Sequence, residues 1–250
     1  MPLGSFARRC LALGALGVAL AGNGFGGALE AIALPPEQVE QILGNFPVFV
    51  VTDEEGAPLL QEQENQTVIG AFINPEDAES FLERLKARNP ELGNQLRVSA
   101  STLGIVYAEG RRTDGTDDDI DVAYIPSDDP VEQAQQILNS DDFIGVPLFF
   151  ASVQFDGQER YFALTRPETG QTIIPHFFDR EPLEDSIAQV QEKNPELTEP
   201  GATTIRVLSL EGIIQMLEKE DGPHFEYFYF VPSQASLDYA DRLRQQAQPQ

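Results

Sequence analysis

Two short apolar phrases set the rhythm of the chain. They are Phe46-Pro47-Val48-Phe49-Val50-Val51 and Val146-Pro147-Leu148-Phe149-Phe150-Ala151, with their prolines 100 residues apart. Each reads as the opening of a buried strand, with Pro at the start, where no ladder hydrogen bond is yet needed. The stretches downstream of the two phrases also match. Gly70-Ala71-Phe72, an acidic helical stretch and Asn89-Pro90-Glu91-Leu92 come after the first. Pro175-His176-Phe177, another acidic helical stretch and Asn194-Pro195-Glu196-Leu197 come after the second. Arg97-Val98-Ser99 is answered by Arg206-Val207-Leu208, and Ile125-Pro126-Ser127 by Val231-Pro232-Ser233. Matches in one order at near-constant offset argue for duplication of a unit of about a hundred residues. Residues 34–126 form the first unit, and residues 127–250 form the second with a C-terminal helix. Phe49, Phe72, Phe149 and Phe177 fall at equivalent strand positions and are expected in the core.

The finer pattern predicts an α/β fold with mixed α+β sheets. Pro35-Pro36 opens a short helix with Val39, Ile42 and Leu43 on one face. Asp53-Glu54-Glu55-Gly56 turns the first key strand back into residues 57–62, and 67–73 is a further strand. Asn74 caps a helix with Pro75 at its first position; Ala78, Phe81, Leu82 and Leu85 recur at helical spacing. Strands near 95–101 and 121–125 come next, then a helix over 130–138 that resembles the first helix in sequence. In the second unit, strands are expected over 146–154, 159–165, 171–178 and 203–209, with helices after Pro182, over 210–217 and over 236–244. Phe225 to Val231 reads as an aromatic strand. Alternation puts Phe225, Tyr227 and Tyr229 on one face and Phe228 and Phe230 on the other.

The N-terminus changes the picture of location. Arg8 and Arg9, the apolar run Leu11 to Ala21 and Ala31-Ile32-Ala33 read as a secretory signal over residues 1–33. The apolar run is too short for a permanent membrane anchor. No later stretch is apolar for long enough to cross a bilayer, so an exported chain without an integral membrane segment is expected. Cys10 is the single cysteine and leaves with the signal, which removes disulfides, thiol nucleophiles and thiolate metal sites. The full chain carries a formal charge of −25, from 41 acidic against 16 basic residues. Such a surface repels phosphate backbones, so nucleic acid is excluded as a partner.

Candidate chemistry is sparse. The aspartates of the loop over 110–121 fail the EF-hand pattern, because the sixth and twelfth positions from Asp114 hold Asp119 and Ile125 instead of Gly and Glu. Asn65-Gln66-Thr67 matches a glycosylation sequon, which a bacterial-type signal leaves idle. His176 and His224 have no partner motif for nucleophilic catalysis or metal binding. No catalytic residue, cofactor or metal is therefore expected, and the chain is read as not an enzyme.

Phe-Pro-Val-Phe-Val-Val-Thr-Asp-Glu-Glu-Gly-x-Pro-Leu over 46–59, Val-Pro-Leu-Phe-Phe-Ala over 146–151 and Ile-Pro-His-Phe-Phe-Asp over 174–179 give the chain a resemblance. It resembles the family of the 22-kilodalton subunit of the translocon at the inner chloroplast envelope, in its cyanobacterial branch. The resemblance implies two halves related by a pseudo-twofold axis. It implies a soluble chaperone-like protein of the periplasm or thylakoid lumen (the intermembrane space in plastid relatives). Its partners would be unfolded or translocating precursors and the outer-membrane β-barrel assembly machinery. On that reading, client contact is assigned to Tyr227, Phe228, Tyr229, Phe230, Phe150 and Phe178. The competing reading is a structural or small apolar ligand-binding envelope protein without chaperone activity.

Overall fold

The computed structural model describes residues 34–44, 46–63, 66–113, 120–155, 157–166, 169–219 and 225–247. The expected signal, Asn65, His224 and Asp114 to Asp119 lie outside them. Among the described residues no helix is long and apolar enough to cross a membrane. The chain forms two compact units. One is Pro35–Asp128 completed by the C-terminal segment from Pro232; the other is Asp129–Val231 with Leu34.

The first unit holds α1 (Pro36–Leu43), β1 (Pro47–Thr52), β2 (Leu60–Gln63), β3 (Gln66–Phe72), α2 (Pro75–Arg88), α3 (Pro90–Gly93), β4 (Arg97–Thr102), α4 (Leu103–Thr113) and β5 (Ile120–Ile125). Asn74 starts α2 as its sequence predicts: its side-chain oxygen accepts from Glu76 N at 3.0 Å, with Pro75 next in line. β1 pairs antiparallel with β4 and β3, and β3 pairs parallel with β5. Phe49 faces Phe72 in register. Both are buried with Val51, Leu82 and Val98 beneath α2.

The second unit holds α5 (Asp128–Leu138), β6 (Pro147–Phe155), β7 (Gln158–Tyr161), β8 (Leu164–Thr165), β9 (Thr172–Phe177), α6 (Arg180–Gln191), β10 (Thr203–Ser209), α7 (Leu210–Lys219) and β11 (Phe228–Val231). Its central strands repeat the pairings of the first sheet. β6 is antiparallel to β10 and β9, and β9 is parallel to β11. Phe149 faces Phe177, as Phe49 faces Phe72. All four rings are buried, as the sequence predicts. Even the strand-to-helix joints agree. Leu103 N donates to Phe46 O and Leu210 N to Val146 O, both at 2.8 Å.

One joint is built differently. Glu211, in the first turn of α7, folds back so that its carboxylate accepts from Val146 N at 3.1 and 3.3 Å. Burial pushes its carboxyl up from the ordinary range, against the opposing pull of hydrogen bonds from its own backbone and from Val146. Gly145 makes room, at φ +99; a Cβ there would sit 2.3 Å from Glu211 Oε2. Gly145→Ala is expected to cost about 1–3 kcal/mol, from left-handed strain plus the clash. Chemical denaturation checks this, with Gly157→Ala as control, since that glycine (φ +71) has nothing within 4 Å of a built Cβ.

Four sequence expectations need correction. The C-terminal helix α8 (Gln234–Ala247) completes the first unit, not the second. The outer face of β1 and β4 beside α2 needs apolar cover, and Ala240 and Tyr239 of α8 supply it. α5 does the same for the second unit through Ala134 and Ile137. α1 does not share this role; it lies on α4, where a Cβ on Gly104 would sit 2.6 Å from Glu40 O. The 159–165 strand is broken in two: β7 pairs with β6 and β8 with β9. Gly110 to Thr113 is the end of α4 and no loop. Finally, the aromatic strand is only β11. Phe225–Tyr227 is a 3₁₀ turn, whose three-residue period sets Phe225 edge-on to Phe228 at 5.3 Å.

Candidate functional site

The sheet of the second unit has two apolar faces, because its central strands are buried over Pro147–Val153 and Ile173–Phe177. On one face Phe149, Ala151, Val153, Ile173 and Phe177 meet α5 and α6. Alternation sends Leu148, Phe150, Ser152, Ile174 and His176 to the other. There the rings converge on His176. Its centroid lies 4.4 Å from Phe228, 5.3 Å from Phe150 and 6.0 Å from Phe230. Phe178 extends the group, 6.2 Å from Phe230, and Tyr161 flanks Phe150 at 6.1 Å. These separations put the rings in mutual contact, tilted between stacked and edge-on.

His176 is fully buried. The carbonyl of Ile174 lies 3.0 Å from Nδ1 and can only accept, so Nδ1 carries the proton. Nε2 is buried with no hydrogen-bond partner. Burial holds the imidazole pKa down at about 4, the Ile174 carbonyl opposing only in part. The ring is therefore a neutral aromatic member of the cluster at physiological pH. Beside it, β10 sets Arg206 opposite Phe150. Arg206 donates to Glu159 at 2.5 Å and to Ser152 Oγ at 3.4 Å. The hydrogen bonds from Ser152 and Arg206 hold the Glu159 carboxyl below its ordinary value.

The expected client residues divide. Phe150, Phe178, Phe228 and Phe230 come together on the His176 face; the first, second and last are buried and Phe228 is half-buried. Tyr229 goes to the opposite face, packed on the Phe149 core with the Arg166 guanidinium 5.0 Å over its ring. Tyr227 is half-buried in the 3₁₀ turn. The sequence reading missed His176 as the centre. The signal was its position two residues from Ile174 and from Phe178, on one side of a strand. Among the described residues no group of three or more His, Cys, Asp or Glu side chains is placed to hold a metal ion.

The family model of the Tic22-like family matches residues 17–242. The chain belongs to the Tic22-like family. It is similar to the chloroplastic protein TIC 22 of Arabidopsis thaliana, 24% identical over 217 residues, 84% of this chain and 72% of that protein. Among solved structures it is similar to Anabaena Tic22, described as a protein of protein transport, with a TM-score of 0.71 at 24% identity over 87% of this chain and all of that one. It is also similar to Tic22 from Plasmodium falciparum, with a TM-score of 0.62 at 23% identity over 84% and 99%. The two Pro-led apolar phrases, α5 and the start of α8 all fall inside the span that the Tic22-like model matches.

Proposed function

We propose that this Tic22-like protein is an exported, non-catalytic chaperone-like factor that holds unfolded or translocating precursor proteins. Its compartment is the periplasm or thylakoid lumen, and its clients include outer-membrane proteins on their way to the β-barrel assembly machinery. The observation that carries the reading is the His176 face. It is a sheet face of rings with a neutral imidazole at the centre, and it ends in the half-buried Tyr227 and Phe228. Rings at such an edge offer apolar contact to an extended segment, and the tyrosine hydroxyl tolerates water when no segment is there. The formal charge of −25 keeps a protein with apolar binding surface soluble. The description of the Anabaena relative as a protein of protein transport supports a role in that process. The matching strand order around β1 and β6 supports a further part of the proposal, descent of both units from one duplicated ancestor.

The test is aggregation of an unfolded outer-membrane protein with and without the mature chain. Suppression at stoichiometric amounts is expected, and it should persist in high salt, because apolar contact is not screened. Absence of protection at any ratio rejects the reading. Protection lost in salt moves the contact from the rings to the acidic surface.

A further inference from the structure

We infer that Nε2 of His176 is the hydrogen-bond acceptor for an aromatic donor of the client, the indole N–H of a Trp or the phenol O–H of a Tyr, whose ring takes the place of Phe228. The inference rests on the client-holding reading above and names what that face selects.

The tautomer sets the acceptor. Nδ1 donates to the Ile174 carbonyl at 3.0 Å, back onto its own strand. The second nitrogen of a neutral imidazole is then an acceptor only. Nε2 lies on the side of the ring away from that carbonyl, buried and with no hydrogen-bond partner. A buried polar atom in that state costs stability, so its presence needs a reason. The fold does not supply one, because the first unit builds the same register without a polar side chain. Phe49 opposite Phe72 matches Phe149 opposite Phe177, which puts Ala71 at the position of His176. Ala71 is fully buried, with Tyr124 opposite it on β5 as Phe230 is opposite His176 on β11.

The surroundings choose the donor. Phe150, Phe228 and Phe230 ring the imidazole, so a cationic donor would lose its water without gaining a countercharge. Arg206, opposite Phe150, is already paired with Glu159, and that pair leaves no net charge for a ligand to answer. A neutral aromatic side chain with one N–H or O–H matches both the rings and the acceptor. Membrane-spanning β-barrels carry girdles of aromatic residues at both interfaces. The outer-membrane clients of the reading above therefore present such side chains on extended segments.

Phe228 is the ring placed to yield. Of the three it stands nearest the imidazole, and it is half-buried where Phe150 and Phe230 are buried. It opens β11, a four-residue strand at the end of the strand order, paired among the described residues with β9 alone. Turning its side chain to another rotamer uncovers the imidazole and leaves the backbone ladder intact.

The chain contains no Trp, so tryptophan fluorescence reads an added peptide alone. The experiment titrates the full mature chain into a short neutral Thr/Val peptide with a central Trp, and into the same peptide with 1-methyl-Trp, which lacks only the N–H. Tyr and Phe versions are read by competition against the Trp peptide. The native protein should bind Trp about tenfold tighter than 1-methyl-Trp, and Tyr about tenfold tighter than Phe, because the analogue leaves the buried acceptor unmade. His176→Phe keeps a ring and removes the acceptor, and should bind the members of each pair alike. Equal binding within both pairs by the native protein overturns the acceptor role, and that comparison needs no variant to fold. Discrimination that survives in His176→Phe overturns it too, as does the absence of binding by any peptide. Suppression of client aggregation with equal peptide binding keeps the client-holding reading and removes the acceptor role. Discrimination by the native protein without suppression does the reverse.

Discussion

Phe149→Ala is expected to destabilise the protein by about 3–5 kcal/mol, the usual cost of emptying a fully buried aromatic site. Phe149 has no exposed surface. It sits opposite Phe177 in the central pair of its sheet, and the cluster around it takes residues from α5, α6, β8 and β10. So many elements fix the cavity walls that little collapse can relieve the loss. Urea denaturation of variant and native protein measures it. A loss below about 1 kcal/mol, the range of surface substitutions, would contradict the packing described.

The second large effect is a dependence of stability on pH that traces to His176. Its folded pKa is about 4, against an ordinary value of 6.5. Above pH 6.5 the ring is neutral in both states, and the stabilisation from its burial is fully present. As pH falls from 6.5 towards 4 the unfolded chain takes up a proton that the folded chain refuses, so stability is lost across that window. Below 4 both states are protonated and the loss levels off. The total is about 3 kcal/mol, of which about 2 is gone by pH 5. Carboxylates titrate in the same range, so the measurement is the difference between native protein and His176→Phe. The variant should lose about 2 kcal/mol less between pH 7.5 and 5. Identical pH profiles would mean that the native imidazole reaches water or an acceptor.

Much of this was legible in the chain. Pro47 and Pro147 marked the central strands, because a proline at a strand start leaves a long apolar run after it with no other role. Asn74-Pro75 marked α2 through cap chemistry that needs no tertiary context. Phe49, Phe72, Phe149 and Phe177 were readable as core from the echo alone. What failed depended on packing between distant residues. α8 comes after Val231-Pro232-Ser233 as α5 comes after Ile125-Pro126-Ser127, and α5 covers the unit that is next in the chain. By the same rule α8 covers the unit at the other end of the cycle. A sequence read in one direction assigns it to the nearer unit instead. The 225–231 segment failed for a local reason. Period-two alternation was assumed where a 3₁₀ turn gives period three, and this placed Phe225 on the wrong side relative to Phe228. His176 was passed over because an isolated histidine is judged by metal and triad motifs. Its role here is that of a buried neutral ring, with one nitrogen satisfied by Ile174.

Whether client segments touch the His176 face is the most direct question to put to this protein. A photoreactive benzoylphenylalanine at position 228, with the same group at exposed Glu55 as control, can be crosslinked in cells and the trapped chains identified by mass spectrometry. Unfolded outer-membrane precursors are expected attached at 228 and absent at 55. Equal yields at both positions, or none at 228, would contradict a client-holding role for that face.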